Sequence, residues 1–168
     1  MSQVDAVLNQ WRRERPDLDV GPMGLTGRLK RIGRHLEREM EMTFAAHGLN
    51  LASFDVLATL RRAGSPYRLS PGDLINNTMV TSGTMTHRVD QLVKSGFVER
   101  TKNPDDGRSV LIALTARGFK IIDTAVTDHV ANLARLTGGL TESEGRRLDR
   151  LLKRYLEVLE SPDEAADR

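Results

Sequence analysis

Between Phe97 and Leu114 the apolar residues leave helical spacing for strand spacing, and back, and that double change restricts the fold most. The runs FVERT and SVLIAL lie on either side of NPDDGRS. Each reads as a short strand, because side chains in a strand alternate faces with a period of two. Pro104, Asp105, Asp106 and Gly107 are turn formers between them. Arg108 stands at the end of the turn. A mostly helical chain thus builds one tight hairpin and puts an arginine at its tip.

The rest of the chain carries helical stripes. Val4, Val7, Leu8 and Trp11 predict a short opening helix, broken by RPDLDVGPM. Leu25, Leu29, Ile32, Leu36, Met40 and Phe44 predict a long second helix that stops at Gly48, with a basic opposite face (Arg28, Lys30, Arg31, Arg34, Arg38). Leu51, Phe54, Leu57 and Leu60 mark the third. Ser70-Pro71-Gly72-Asp73 is a strong start for a short fourth helix: a serine cap, proline in the first turn, then an acid. Thr81 and Ser82 offer the cap of the fifth, which buries Met85, Val89 and Leu92. After the hairpin, Thr115 opens a helix carrying Ile122, Val126, Val130 and Leu133. Thr141 and Glu144 form a capping box for a last helix striped by Leu148, Leu151, Leu152, Tyr155 and Leu159.

Two compact helices joined by a short turn and followed at once by a hairpin describe a winged helix-turn-helix. The expected fold is therefore mainly α with a small β-hairpin, in a single domain over residues 1–168. Residues 51–114 form its DNA-binding winged helix, 3–48 and 115–160 its dimerisation helices, and 161–168 a tail. On a wheel of about 100° per residue, Thr84, Thr86, His87, Asp90, Gln91 and Lys94 oppose the buried stripe of the fifth helix. Small hydroxyl residues near its N-terminus let such a helix sit deep in the major groove. Ser82, Thr84, Thr86, His87, Gln91 and Lys102 are the candidate DNA contacts. Arg108 joins them by reaching a minor groove. An ordinary solvated face and a solvated turn are the alternatives. Asp105 or Asp106 is expected to salt-bridge Arg108 and fix its direction.

The stretch Thr81–Gly118, TSGTMTHRVDQLVKSGFVERTKNPDDGRSVLIALTARG, resembles the MarR family of transcriptional regulators. Its wing-tip DxR motif is matched by Asp106-Gly107-Arg108, and its LTxxG helix start by Leu114 to Gly118. The resemblance implies a homodimer that binds a palindromic operator in double-stranded DNA. Relatives often carry asparagine where this chain has His87.

An added N-terminal helix with a tryptophan, together with FDVL, THRVDQL and FVER, resembles the urate-responsive branch of that family. The resemblance implies a ligand site of Trp11, Asp55, Arg88 and Arg100 for a small anionic aromatic or purine effector such as urate. Read alone, these residues leave alternatives open. Arg88 flanks the buried stripe, where an arginine is usually paired, or meets a phosphate. Asp55 suits the start of a helix, Trp11 suits plain packing, and Arg100 a phosphate or its strand surroundings. A phenolic or other aromatic carboxylate is the rival effector.

Composition excludes other classes. The chain has no cysteine, which removes disulfides, thiolate metal sites and thiol-based peroxide sensing. The net charge is only +2, so any surface for nucleic acid is local. No run approaches the roughly 20 apolar residues of a membrane span, and a cytoplasmic protein with no membrane partner is expected. His35, His47, His87 and His129 are scattered, without a nucleophile–base motif or a phosphate-binding glycine loop. No enzyme, cofactor or metal site is expected; a metal-responsive winged helix is the remaining alternative, with a protein-interaction module beside it.

Overall fold

The structure, a computed structural model, describes residues 2–78, 82–104, 106 and 108–161. The helices are α1 (Gln3–Glu14), α2 (Gly21–Ala45), α3 (Leu51–Arg62), α4 (Pro71–Asn77), α5 (Ser82–Lys94), α6 (Ala116–Thr137) and α7 (Glu142–Glu160); the strands are β1 (Arg68–Leu69), β2 (Val98–Lys102) and β3 (Val110–Leu114). The fold is a winged helix-turn-helix, as the sequence predicts. The expected cap at Thr81, the side chains of Ser82 and Thr84, Asp105 and Gly107 of the turn, and residues 162–168 of the tail lie outside the described residues.

Local chemistry sets most helix ends. Ser2 and Asp5 make a capping box at α1, and Asn50 accepts from the Ser53 N–H at 2.8 Å to start α3. Ser70 accepts from the Asp73 N–H at 3.1 Å with Pro71 in the first turn of α4. Thr141 and Glu144 close the expected box on α7. α2 begins a turn earlier than its apolar stripe suggests. The Asp19 carboxylate accepts from the Gly21 N–H at 2.9 Å, and Pro22 follows in the first turn. The helix ends at Ala45, and the chain turns away at the expected Gly48, whose φ of +68° is a left-handed conformation glycine adopts without strain.

The sheet is larger than a hairpin. Its order is β1-β3-β2, antiparallel throughout, with Arg68 opposite Ala113, and Arg100 opposite Ile112. β1 has only two residues, too few to show strand periodicity in the sequence. The Leu114 N–H donates to the Tyr67 carbonyl at 3.1 Å and continues the pairing.

By its internal contacts the chain divides into two compact units, Met1–His129 and Val130–Arg168. The core of the first gathers Phe44, Val56, Leu57, Leu60, Leu74, Met85, Leu92, Ile112 and Ile122, all almost completely buried. α5 and the sheet are therefore seated on the same apolar mass as α2, α3 and α6. In the second unit α7 buries none of its residues, and Leu148, Leu151, Leu152, Leu156 and Leu159 are exposed. No helix among the described residues is long and apolar enough to cross a membrane.

Candidate nucleic-acid interface and ligand residues

α5 turns Met85, Val89 and Leu92 into the core, leaving Thr86, His87 and Gln91 exposed. Lys102 at the end of β2 and Arg108 beyond the turn are exposed as well. All five are open to a duplex.

The wing tip is held by its backbone. The Asn103 N–H donates to the Ser109 carbonyl at 3.0 Å, and the Ser109 N–H to the Asp106 carbonyl at 2.9 Å. The Asp106 carboxylate accepts from the backbone N–H of Arg108 at 3.1 Å. The sequence predicts an aspartate bonded to the Arg108 guanidinium; for Asp106 the bond is to the main chain instead. It orients the arginine by fixing the turn from which the side chain leaves.

The wing root is clamped by three residues. Thr115 donates its hydroxyl to the Gly96 carbonyl at 2.7 Å and accepts from the Gly118 N–H at 2.9 Å. Arg117 lies 5.0 Å from the centre of the Phe97 ring and donates to the Ser95 carbonyl at 3.1 Å. Gly118 passes so close to Phe97 that a Cβ there would lie 1.8 Å from its carbonyl oxygen. The threonine and glycine of the LTxxG motif thus lock α6 to the α5–β2 turn. Arg61 lies over both the Tyr67 and Phe119 rings, 5.3 and 4.7 Å from their centres, and pairs with Asp123 at 2.9 Å.

The four ligand residues occupy four elements. Trp11 on α1 is 41% exposed, and Asp55 on α3 is half-buried beside the buried Val56. Arg88 flanks the core-facing side of α5, as the wheel predicts. Its Nη1 is buried without a hydrogen-bond partner among the described residues. Arg100 stands on the opposite flank of α5. Its Nη2 meets Asp90 Oδ1 at 2.5 Å, and this bond holds the Asp90 carboxyl below the ordinary carboxylate range, with Arg100, Lys94 and His87 adding favourable charge. Beside the pair, a cavity of about 230 Å³ is lined by Pro71, Ile75, Met85, Thr86, Val89, Arg100, Val110 and Ile112.

Asp90 is the residue that the ligand assignment passes over. It sits among the polar residues of α5, and its link to Arg100 spans ten residues across a helix–turn–strand corner. Opposite charges on both sides of a tight corner are the only trace it leaves in the sequence.

Comparison with known proteins fits this geometry. Residues 49–110 match the MarR family. The chain is 40% identical over 152 residues to the HTH-type transcriptional regulator PecS of Dickeya dadantii, covering 90% of this chain and 92% of that protein. It is 30% identical to the HTH-type transcriptional repressor YetL of Bacillus subtilis, over 76% of each. Among solved structures, a mutant MarR from E. coli complexed with operator DNA superposes with a TM-score of 0.67 at 28% identity, covering 87% of this chain and 97% of that one. These relatives are regulators, not enzymes. The chain belongs to the MarR family and is a DNA-binding transcriptional regulator.

Proposed function

We propose that this regulator is a repressor: a homodimer on a palindromic operator, released by a small anionic aromatic or purine-type effector such as urate. Arg88 carries the effector part of the reading. A guanidinium nitrogen is buried on the recognition helix without an acceptor among the described residues, and such a group is costly until an anion completes it. An anion bound there touches the DNA-reading helix directly. Trp11 offers a half-exposed indole face for a planar ring, and Asp55 a carboxylate that an arriving anion would repel. The repressor sense is supported by the likeness to YetL.

The test uses the only tryptophan in the chain. Urate should quench its emission saturably and, over the same range, release a duplex carrying the operator. Arg88→Ala should abolish both effects. Asp55→Asn should keep the quenching and blunt the release. Unchanged emission together with unchanged DNA binding would overturn the urate reading.

A second reading rests on the cavity beside Arg100. Its walls are mostly apolar, with the Thr86 hydroxyl and the Arg100 guanidinium as polar groups, a composition that suits an aromatic carboxylate. Release of DNA by salicylate, with Trp11 emission unchanged, would favour this site. Among the described residues no three His, Asp or Glu side chains are grouped as a metal site.

A further inference from the structure

The ion pair between Asp90 and Arg100 bears on how an effector signal reaches DNA. Resting on the reading that Arg100 receives an effector's anionic group, we propose that Asp90 and Arg100 form a clasp holding the recognition helix to the wing. The effector then releases DNA by taking Arg100 away from Asp90.

The corner between α5 and β2 is fixed at its turn. There Gly96 turns the chain at a φ of +71°, and Thr115 and Arg117 hold the carbonyls of Ser95 and Gly96. Beyond that turn Met85, Val89 and Leu92 of α5 pack with Val98 of β2 and Ile112 of β3 in one buried cluster, and on the exposed side Asp90 and Arg100 add a tie between the two arms. Asp90 and Arg100 lie past the clamp on either arm and meet at 2.5 Å. Val89 and Thr86, on the same side of α5, line the cavity that Arg100 also lines. A ligand in that cavity and the Asp90 carboxylate therefore compete for one guanidinium.

The pair is suited to being exchanged. Its side chains are 43% and 45% exposed, so a competitor reaches Arg100 from solvent. An exposed pair of this kind is worth about a twofold to fivefold change in an equilibrium constant, small enough for an anion with a better-oriented bidentate contact to displace. Displacement has two consequences. The helix loses its tie to the wing, and a bare carboxylate is left among His87, Gln91 and Lys94, where it repels phosphate. Both oppose DNA binding. Asp90 is thus a positioning residue acting through Arg100: as a competitor for that guanidinium it opposes the ligand, and as a tie between α5 and β2 it favours DNA. Its removal therefore changes both affinities.

The opposite signs of those changes make the test. Urate and salicylate would each be titrated calorimetrically into the parent, Asp90→Asn, Asp90→Glu and Arg100→Ala chains, with operator binding followed by fluorescence anisotropy. Asp90→Asn should bind the active probe about twofold to fivefold more tightly, because its competitor is gone. Its operator binding should weaken by a similar factor and respond less to the probe. Asp90→Glu should restore the parent behaviour, and Asp90→Ser provides a second neutral variant. A merely structural Asp90 gives the reverse: ligand affinity unchanged or lower. That result overturns the clasp. If Arg100→Ala loses the probe while Asp90→Asn binds it like the parent, the effector site stands and the clasp falls. If Arg100→Ala binds both probes like the parent, or the parent binds neither, the placement of the effector at Arg100 fails and the clasp fails with it.

Discussion

Arg108 leaves a turn whose shape is set by the Asp106 carboxylate accepting from its own backbone N–H. The side chain is exposed and leaves a fixed turn, so its own rotamers are what remain to be ordered on the DNA. Arg108→Ala should weaken operator binding by about 1–3 kcal/mol, read by anisotropy at constant salt. His87→Ala should alter sequence preference more than total affinity, since an exposed imidazole on the recognition helix reads base edges more than phosphates. A different residue sets a pH limit on the fold. His129 is packed against the Phe44 and Phe54 rings, each 5.1 Å away, with its Nδ1 buried and unpaired among the described residues. Burial lowers its pKa from the ordinary 6.5. The unfolded chain therefore takes up the proton first as pH falls. The stability His129 contributes is complete above pH 6.5 and declines as pH drops from there through its folded pKa. The effect is assigned to His129 by comparison with His129→Leu. Thermal melts between about pH 7.5 and 5.5, a range spanning the histidine titration, should show a smaller loss in that variant than in the parent.

Among the elements, the junction of α6 with the α5–β2 turn tolerates least change. At Gly118 an added Cβ would meet a backbone oxygen at 1.8 Å, and backbone cannot rotate away as a flexible side chain can. Gly118→Ala should destabilise the chain by at least the usual overpacking cost of about 1–3 kcal/mol, measured by urea unfolding. It should also misplace the wing, so operator binding should fall further than the loss of folded protein explains. Such junctions also show what a sequence makes legible. The caps at Ser70 and Thr141 are readable because the donor, acceptor and spacing are all local. The hairpin is readable because its strands are long enough to show a period. β1 is not: its two residues become a strand only because β3 lies beside them. The early start of α2 rests on Asp19 and Pro22, which precede the apolar stripe that marks the helix. In the ligand region, the half-buried flank of Arg88 follows from the wheel, whereas the Asp90–Arg100 pair depends on the angle at which β2 returns along α5. That angle is set by Gly96, Thr115 and Arg117 together.

For the whole molecule, the surface left apolar by α7 is the feature a single copy does not account for. Leu151, Leu156 and Leu159 are 55%, 53% and 64% exposed, and with Leu148 and Leu152 they form a continuous stripe on a helix that buries nothing. An exposed apolar stripe of this length is the kind of surface that supports association. In the proposed two-fold dimer the stripe would lie against its own copy, and the symmetry would match a palindromic site. Dimerisation also matters energetically, because joining two recognition helices makes the second half-site contact intramolecular. Replacing Leu151 and Leu159 together by glutamate should therefore produce a monomer at micromolar concentration in sedimentation equilibrium. The variant should retain the helix content and melting behaviour of the Met1–His129 core, while operator affinity drops by more than tenfold. A parent chain that sediments as a monomer would remove the dimer from the proposal. A double variant that stays dimeric would move the interface away from α7, leaving the α5 and wing contacts to be tested on their own.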